Sequence, residues 1–345
     1  MARHALVRSP VPLPKAEQLQ QELLYLGQSP RVSLADVTQS VRNPQMLAEI
    51  APAGSDMLLN ATASLVVREA LVSLPETRNG ARLCEVALFG RGRGSFVLCE
   101  GKSGNPTIPD LMAHLSATVS QLERTLLFDP ESGLTEVQIG QGCGSVTMQM
   151  SDARLSAMTA MATEEIIRLS MENEEPGQLV VGIAEPSSPS TNWRRETIGP
   201  FLEVPIEGGD GWNVRISPAA QAKIQNDVSA YPGVETGGLL IGCCSARLKT
   251  VTVVDVLPAP EDSQRSAAIF VLGKKGLRNA VLQRHKESGG SLLDVGTWHS
   301  HLMDHGPSEL DRKTAAQLAA ERAPPAILLI AAPVKFYALM QPAAD

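Results

Sequence analysis

The chain has 345 residues, of which 43% are hydrophobic, 19% charged and only 3% aromatic. At ~100–200 residues per domain this length predicts two domains, with cores built from aliphatic side chains, and excludes a disordered, coiled-coil or collagen-like chain. The net charge of −7, from 37 acidic and 30 basic residues, lacks the basic footprint of a nucleic-acid binder.

The most apolar stretch, residues 326–340, is interrupted by Pro333 and Lys335 and falls short of the ~20 residues of a bilayer span. The opening MARHALVRSP has no apolar core for a signal peptide. Five cysteines, Cys84, Cys99, Cys143 and the adjacent Cys243 and Cys244, are an odd, scattered set. They do not read as a disulfide framework. The expectation is a cytoplasmic protein with reduced thiols and no membrane segment.

In chain order, residues 15–26 read as a helix, 58–59 end a short apolar run, and 64–74 read as a second helix. Strands are expected at 84–89 and 95–99. The glycines of residues 90–94 join them as a hairpin. A long helix follows over 152–172, with Ser151 as its N-cap; Leu155, Met158, Ala162, Ile166 and Leu169 recur at helical spacing. Between 172 and 212 the chain is punctuated by Pro, Ser and Gly, which marks a boundary. After it, strands are expected at 212–216, 237–241, 250–257, 269–272, 292–301, 326–331 and 336–340. Helices are expected at 219–228, 278–286 and 308–323, the last stopped by Pro324 and Pro325. The organisation predicted is a first domain over 1–175, a boundary over 176–211 and a second domain over 212–345, the second a compact α/β or α+β unit.

The chemistry concentrates in GTWHSHLMDHGPSELD, residues 296–311. On a strand, His299 and His301 point to the same face, which offers two imidazoles to one metal. Asp311 falls in the first turn of the next helix. Two histidines and a carboxylate leave a fourth tetrahedral position open, the pattern of a catalytic zinc rather than a structural one. Glu235 opens ETGGLLIG, where it can serve as the proton acceptor that such a site needs. Ser308 can donate to an oxyanion. Each has a plainer reading: Ser308 and Asp311 as a capping box, the histidines as ordinary surface or core residues, Glu235 as an exposed turn residue. Whether they meet in space is left open by spacing alone.

Residues 212–340 resemble the JAMM/MPN (JAB domain) metalloproteases, zinc isopeptidases that remove ubiquitin and related proteins. The resemblance is carried, in order, by Glu235-Thr236-Gly237-Gly238, His299-Ser300-His301 and Ser308-Glu309-Leu310-Asp311. It implies His299, His301 and Asp311 as Zn2+ ligands, Glu235 as general base and Ser308 as transition-state stabiliser. Two departures stand out. Leu302 replaces the usual proline, and the interval from His301 to Ser308 is one residue shorter than the common form. Asp304 and His305 in that loop read as solvated residues.

In the front half, DMLLNATASLVVREAL at 56–71 resembles the later part of a ThiF-like domain, the adenylating fold of ubiquitin-activating enzymes. The fold class expected is therefore α/β and α+β: a partial ThiF/Rossmann-like domain followed by a JAMM/MPN domain with a central mixed sheet. Asn60 and Ala63 stand where that family keeps carboxylates, and no glycine-rich nucleotide loop precedes Lys15, so adenylation is not expected. Cys143 in GQGCGS is the candidate thioester cysteine, against a small residue in a tight turn; Cys243 and Cys244 read as core or edge thiols. The function expected is zinc-dependent cleavage after the C-terminal tail of a ubiquitin-like protein, in a bacterial conjugation or sulfur-carrier pathway. The partners implied are that protein or its conjugates and a ubiquitin-conjugating-like enzyme, with neither nucleic acid nor membrane. Alternatives are a binding module for a ubiquitin-like partner and a remnant activating enzyme using Cys143.

Overall fold

The computed structural model describes residues 14–41, 43–73, 80–128, 151–172, 174–185, 188, 190–321 and 325–340. Cys143 lies outside them.

The first half is built on a five-stranded sheet in the order β1 (Met57–Asn60), β2 (Arg82–Phe89), β3 (Gly94–Cys99), β4 (Gly177–Ala184) and β5 (Thr191–Ile198). Its central strands read as continuous apolar runs because both faces are covered. Leu83, Phe96, Leu98, Leu179 and Val181 face one core; Cys84, Val97, Cys99 and Val180 face the other. Strand alternation produces that division. The second face is closed by the long helix Asp152–Met171, whose Ala162 and Leu169 enter the core and whose N-cap Ser151 accepts from Arg154 N. Helices Leu65–Val72, Ile108–Thr118 and Gln121–Leu127 supply Leu71, Leu111, Leu115 and Leu126 to the first face. The glycine-rich turn after β2 folds it back on β3, as the hairpin expectation required.

Two expectations need correction. The segment 176–211 is not a linker: it contributes β4 and β5 to the first sheet and β6 (Leu202–Glu207) to the second. Among the described residues, Ser188, Ser190, Gly199, Pro200, Gly208, Gly209 and Gly211 lie between those strands or just after them, whereas Gly182 and Pro205 lie within them. Nor does the first sheet have the parallel order of a ThiF-like or Rossmann fold. Only β1 and β2 pair in parallel, whereas β2, β3, β4 and β5 form an antiparallel series. Antiparallel neighbours need only short turns, where a parallel pair needs a helical crossover.

The second half is a closed, mixed barrel. Its strands follow the order β12 (Leu293–Ser300), β13 (Ile327–Ala331), β14 (Phe336–Leu339), β6, β7 (Asn213–Ile216), β9 (Thr250–Pro258) and β8 (Gly237–Ser245). Val214, Ile216, Leu240, Val253, Trp298 and Leu329 form its core with Ala220 and Ile224 of helix Pro218–Ala230. Helix Glu309–Glu321 packs Ala315 and Leu318 on the other side of β13, against Leu328 and Ile330. A small hairpin, β10 (Gln264–Arg265) and β11 (Phe270–Val271), stands outside the barrel.

The two halves share a core. Leu239, Ile241, Val254, Leu257 and Leu292 of the barrel half belong to the same buried cluster as Phe96 and Leu111. A buried ion pair crosses the same boundary: Arg215 on β7 donates to both oxygens of Asp110, at 3.1 and 2.9 Å from its Nε, and to Asn105 at 2.8 Å. Among the described residues no helix is long and apolar enough to cross a membrane.

Candidate metal centre

β12 lies between β13, its parallel neighbour, and β8, its antiparallel one, with His299 opposite Gly237 and Trp298 opposite Gly238. Alternation sends Trp298 into the barrel core and turns His299 and His301 outward to one site. The close strand approach is why β8 opens with two glycines. A Cβ on Gly237 would meet the Trp298 carbonyl at 2.2 Å and the Phe270 ring at 2.5 Å; one on Gly238 would meet the Leu257 carbonyl at 2.2 Å.

After β12 the chain turns through residues 302–307 and enters helix Glu309–Glu321. Ser308 N donates to Asp311 Oδ2 at 2.6 Å, and Asp311 N donates to Ser308 Oγ at 3.2 Å. The capping-box reading of this pair is therefore correct, and it serves the site: the cap holds the Asp311 carboxylate against the two imidazoles. His299 Nε2 and His301 Nε2 are 3.2 Å apart, and Asp311 oxygens lie 3.1 Å from the first and 3.4 Å from the second. Ligands 2.0–2.1 Å from a tetrahedral zinc ion sit ~3.3 Å from one another, so the donor set fits such an ion. Among the described residues these three are the one group of His, Cys, Asp and Glu so arranged. His301 Nδ1 lies 3.3 Å from the His305 carbonyl. Donating there leaves the Nε2 lone pair toward the site, as metal-ligating histidines require.

Glu235 reaches the same cleft from the other side. Its N–H donates to Ser266 O of the hairpin at 2.8 Å. The next residue is sewn to β12 twice: Thr236 N donates to Ser300 Oγ at 2.9 Å, and Ser300 N donates to Thr236 O at 2.7 Å. The cleft, about 280 Å³, is lined by Glu235, His299, His301, Ser308 and Asp311 together with Ile269, Phe270, Leu302 and Met303. Glu235, His299, His301 and Asp311 are all buried.

Burial dominates the electrostatics. It pushes the Glu235 carboxyl above the usual glutamate range, against the pull of His299. Burial, with the neighbouring His299 charge, lowers His301, which keeps its imidazole neutral. For Asp311 burial acts upward, but hydrogen bonds with His299 and Ser308 outweigh it and hold the carboxylate ionised well below the usual range. An ionised Asp311 carboxylate beside a neutral His301 imidazole is what a divalent cation needs.

His305 lines the rim of the same cleft, its ring tilted 42° to that of His301 with centroids 4.3 Å apart, and is exposed, as is Asp304. Asn60 is buried in a network with Glu85, to which Arg68 also pairs. A larger cavity of about 680 Å³ lies between the halves, bordered by Asp110, Arg215, Cys243 and Cys244. No residue of the candidate metal centre lines it, and burial raises the Cys243 thiol to about 12, which keeps it protonated at neutral pH. Sequence reasoning missed Ser300, Asp227 and Arg265. Ser300 was visible between the two histidines; the other two were not, because only the fold brings them to Thr236.

A mixed α/β barrel that holds a buried two-histidine, one-carboxylate pocket beside a glutamate defines the class of the C-terminal half. Residues 217–340 match the prokaryotic homologs of the JAB domain, so the chain carries a JAB domain at its C-terminal end. A 67-residue stretch is 39% identical to a "CD-NTase/cGAS isopeptidase" of Enterobacter hormaechei subsp. hoffmannii (strain UCI 50). That match covers 19% of this chain and 36% of the relative, about a third of its length. Among solved structures, protein DSY2949 of Desulfitobacterium hafniense shares 20% identity over 36% of this chain and 79% of its own, with a TM-score of 0.27.

Proposed function

We propose that the JAB domain is a zinc-dependent isopeptidase that cleaves after the C-terminal tail of a ubiquitin-like protein, the tail lying in the cleft between the β10–β11 hairpin and the loop after His301. The observation that carries this reading is the convergence of Glu235, from the start of β8, on a cleft that also holds the His299, His301 and Asp311 donors. The isopeptidase relative supports the reaction class. The mixed barrel, with one buried pocket of this kind among the described residues, supports the division into a front half and a catalytic half.

In this reading His299, His301 and Asp311 hold the metal. Zinc there supplies Lewis-acid polarisation. Glu235, with its carboxyl raised toward neutrality by burial, takes the proton of the attacking water and returns it to the departing amine; a base whose pKa approaches the working pH is the efficient one. Ser308 uses its Oγ as acceptor from Asp311 N, and its hydroxyl proton is directed to the oxyanion of the tetrahedral intermediate. Leu302 and the shortened loop do not prevent the three ligand atoms from meeting, which favours an enzyme over a binding module.

The test is metal per chain in wild type, His301→Ala and Glu235→Gln, together with cleavage of a fluorogenic amide on a Gly-Gly-ended peptide and of ubiquitin-like fusions. The expected outcome is about one zinc in wild type, none in His301→Ala, and zinc without cleavage in Glu235→Gln. Near-normal turnover by Glu235→Gln removes it from the mechanism; zinc binding with no cleavage of any fusion favours the binding-module reading.

A further inference from the structure

The β10–β11 hairpin forms one wall of the cleft through Ala267, Ala268, Ile269 and Phe270, yet it pairs with no barrel strand. Two strands of two residues each do not hold their position by themselves. Its attachment is therefore a functional question. At its base, Asp262 accepts from Lys274 N at 2.9 Å and from Lys275 N at 3.1 Å, and Ser263 Oγ accepts from Gly273 N at 2.9 Å. Those contacts close the hairpin on itself and leave its angle to the barrel free.

The angle is set elsewhere. Arg265 Nε donates to Thr236 Oγ1 at 3.2 Å, and the same hydroxyl donates to Asp227 Oδ2 at 2.7 Å. The hydroxyl thus accepts from a cation and donates to a carboxylate, which leaves it no rotational freedom. Thr236 is fully buried. The Arg265 guanidinium also lies 4.0 Å from the Tyr231 ring centroid, a cation–π distance. Asp227 belongs to helix Pro218–Ala230, and Tyr231 follows that helix directly. One guanidinium and one hydroxyl therefore connect the hairpin, the helix and the residue next to Glu235. The Glu235 N–H bond to Ser266 O, one residue after Arg265, completes the same joint.

We propose that Arg265 and Thr236 are positioning residues: stacked on Tyr231 and tied through the Thr236 hydroxyl to Asp227, Arg265 locks the hairpin wall against the segment that carries Glu235, and so fixes the cleft width and the placement of the base together. This rests on Glu235 acting as the base. A lysine would not replace Arg265, because an ammonium lacks the planar fork that stacks and donates at once.

The experiment compares the full chain, with zinc added, as wild type, Arg265→Met, Thr236→Val and Thr236→Ser. Amide hydrogen exchange reads the joint without any substrate. Arg265→Met keeps the aliphatic stem, and Thr236→Val is isosteric but lacks the hydroxyl. Both are expected to speed exchange about tenfold at residues 264–271 and at Glu235, the factor that a lost charge-assisted hydrogen bond produces. β12 and β13 should not change, and Thr236→Ser should restore wild-type exchange. On the fluorogenic peptide, the two disrupting variants should raise KM and lower kcat about tenfold, since both wall and base lose position. The proposal is overturned by wild-type exchange at the hairpin in both variants, by equal acceleration throughout the barrel, or by failure of Thr236→Ser to rescue. If wild type cleaves no peptide or fusion, the peptidase reading fails while the exchange pattern still decides whether the joint exists.

Discussion

Gly237→Ala tests the link between strand packing and chemistry most directly. The new methyl carbon would stand 2.2 Å from the Trp298 carbonyl oxygen and 2.5 Å from the Phe270 ring. Real Cβ contacts essentially never fall under 3.0 Å, so β8 and β12 must separate by about 0.8 Å at this point. Neither obstacle is a flexible chain end: one is backbone of the ligand strand, the other a ring of the cleft wall. Glu235 lies two residues upstream, on the segment that has to move, whereas His299, His301 and Asp311 are carried by β12, the following loop and helix Glu309–Glu321. A misplacement near 1 Å costs about 100-fold in rate. The variant should therefore hold close to one zinc per chain, unfold at a lower temperature and lose about two orders of magnitude in kcat on the fluorogenic peptide. Zinc content and steady-state rates on one preparation suffice. A Gly237→Ala protein with wild-type turnover would refute the argument that the two glycines exist to bring Glu235 to the histidines.

Other outcomes follow from the same geometry. Arg215→Met strands the Asp110 carboxylate, which is fully buried and, among the described residues, keeps Thr107 N and Oγ1 as partners at 2.8 Å; urea unfolding should show a loss of ~3–5 kcal/mol, with both halves melting together because they share a core. Asp311→Asn removes the charge but keeps an oxygen for Ser308 N, so zinc affinity should fall far more than helix stability, where a cap is worth ~1 kcal/mol; titration of metal-free protein with zinc and a thermal melt separate the two. The Glu235 carboxyl lies above its ordinary value of 4.5, so its ionised form, the proposed base, disappears as pH falls through that raised value. The acid limb of kcat/KM should then lie above pH 4.5 and be absent from the residual rate of Glu235→Gln. The same raised value means that folding disfavours the ionised form at neutral pH, and metal-free Glu235→Gln should melt at or above wild type at pH 7.

Several elements were legible because they carry local signals. The helix over 152–172 shows its 3.6-residue spacing and its Ser151 cap, and His299 and His301 show the two-residue period of a strand. Helix Glu309–Glu321 announces itself through Ser308 and Asp311, which cap it before they serve anything else. The boundary at 176–211 was misread for an equally local reason. Pro, Ser and Gly residues such as Ser190, Gly199, Pro200 and Gly208 fall between strands there, and turns punctuate a sheet as readily as they mark a linker. β4 and β5 lie there as strands of a sheet whose other members are some 80 to 140 residues upstream in the chain, and no window along the sequence senses that pairing. The ThiF-like expectation failed the same way, since strand direction is a property of pairs rather than of segments.

The sequence by itself determined the candidate site residues: two histidines on one strand face, a carboxylate in the first turn of a helix, a glutamate before a glycine pair. Covalent spacing and side-chain periodicity are enough for that, because each motif is shorter than the element it occupies. Only the tertiary structure decided that these motifs converge, since Glu235 and His299 are 64 residues apart and meet through the β8–β12 register, which the glycines permit by giving up their side chains. The Asp227–Thr236–Arg265 joint lies wholly on that second side. It unites a helix, a strand entrance and an external hairpin, and the strength of a hydrogen bond depends on where its partners are held, not on how far apart they were written.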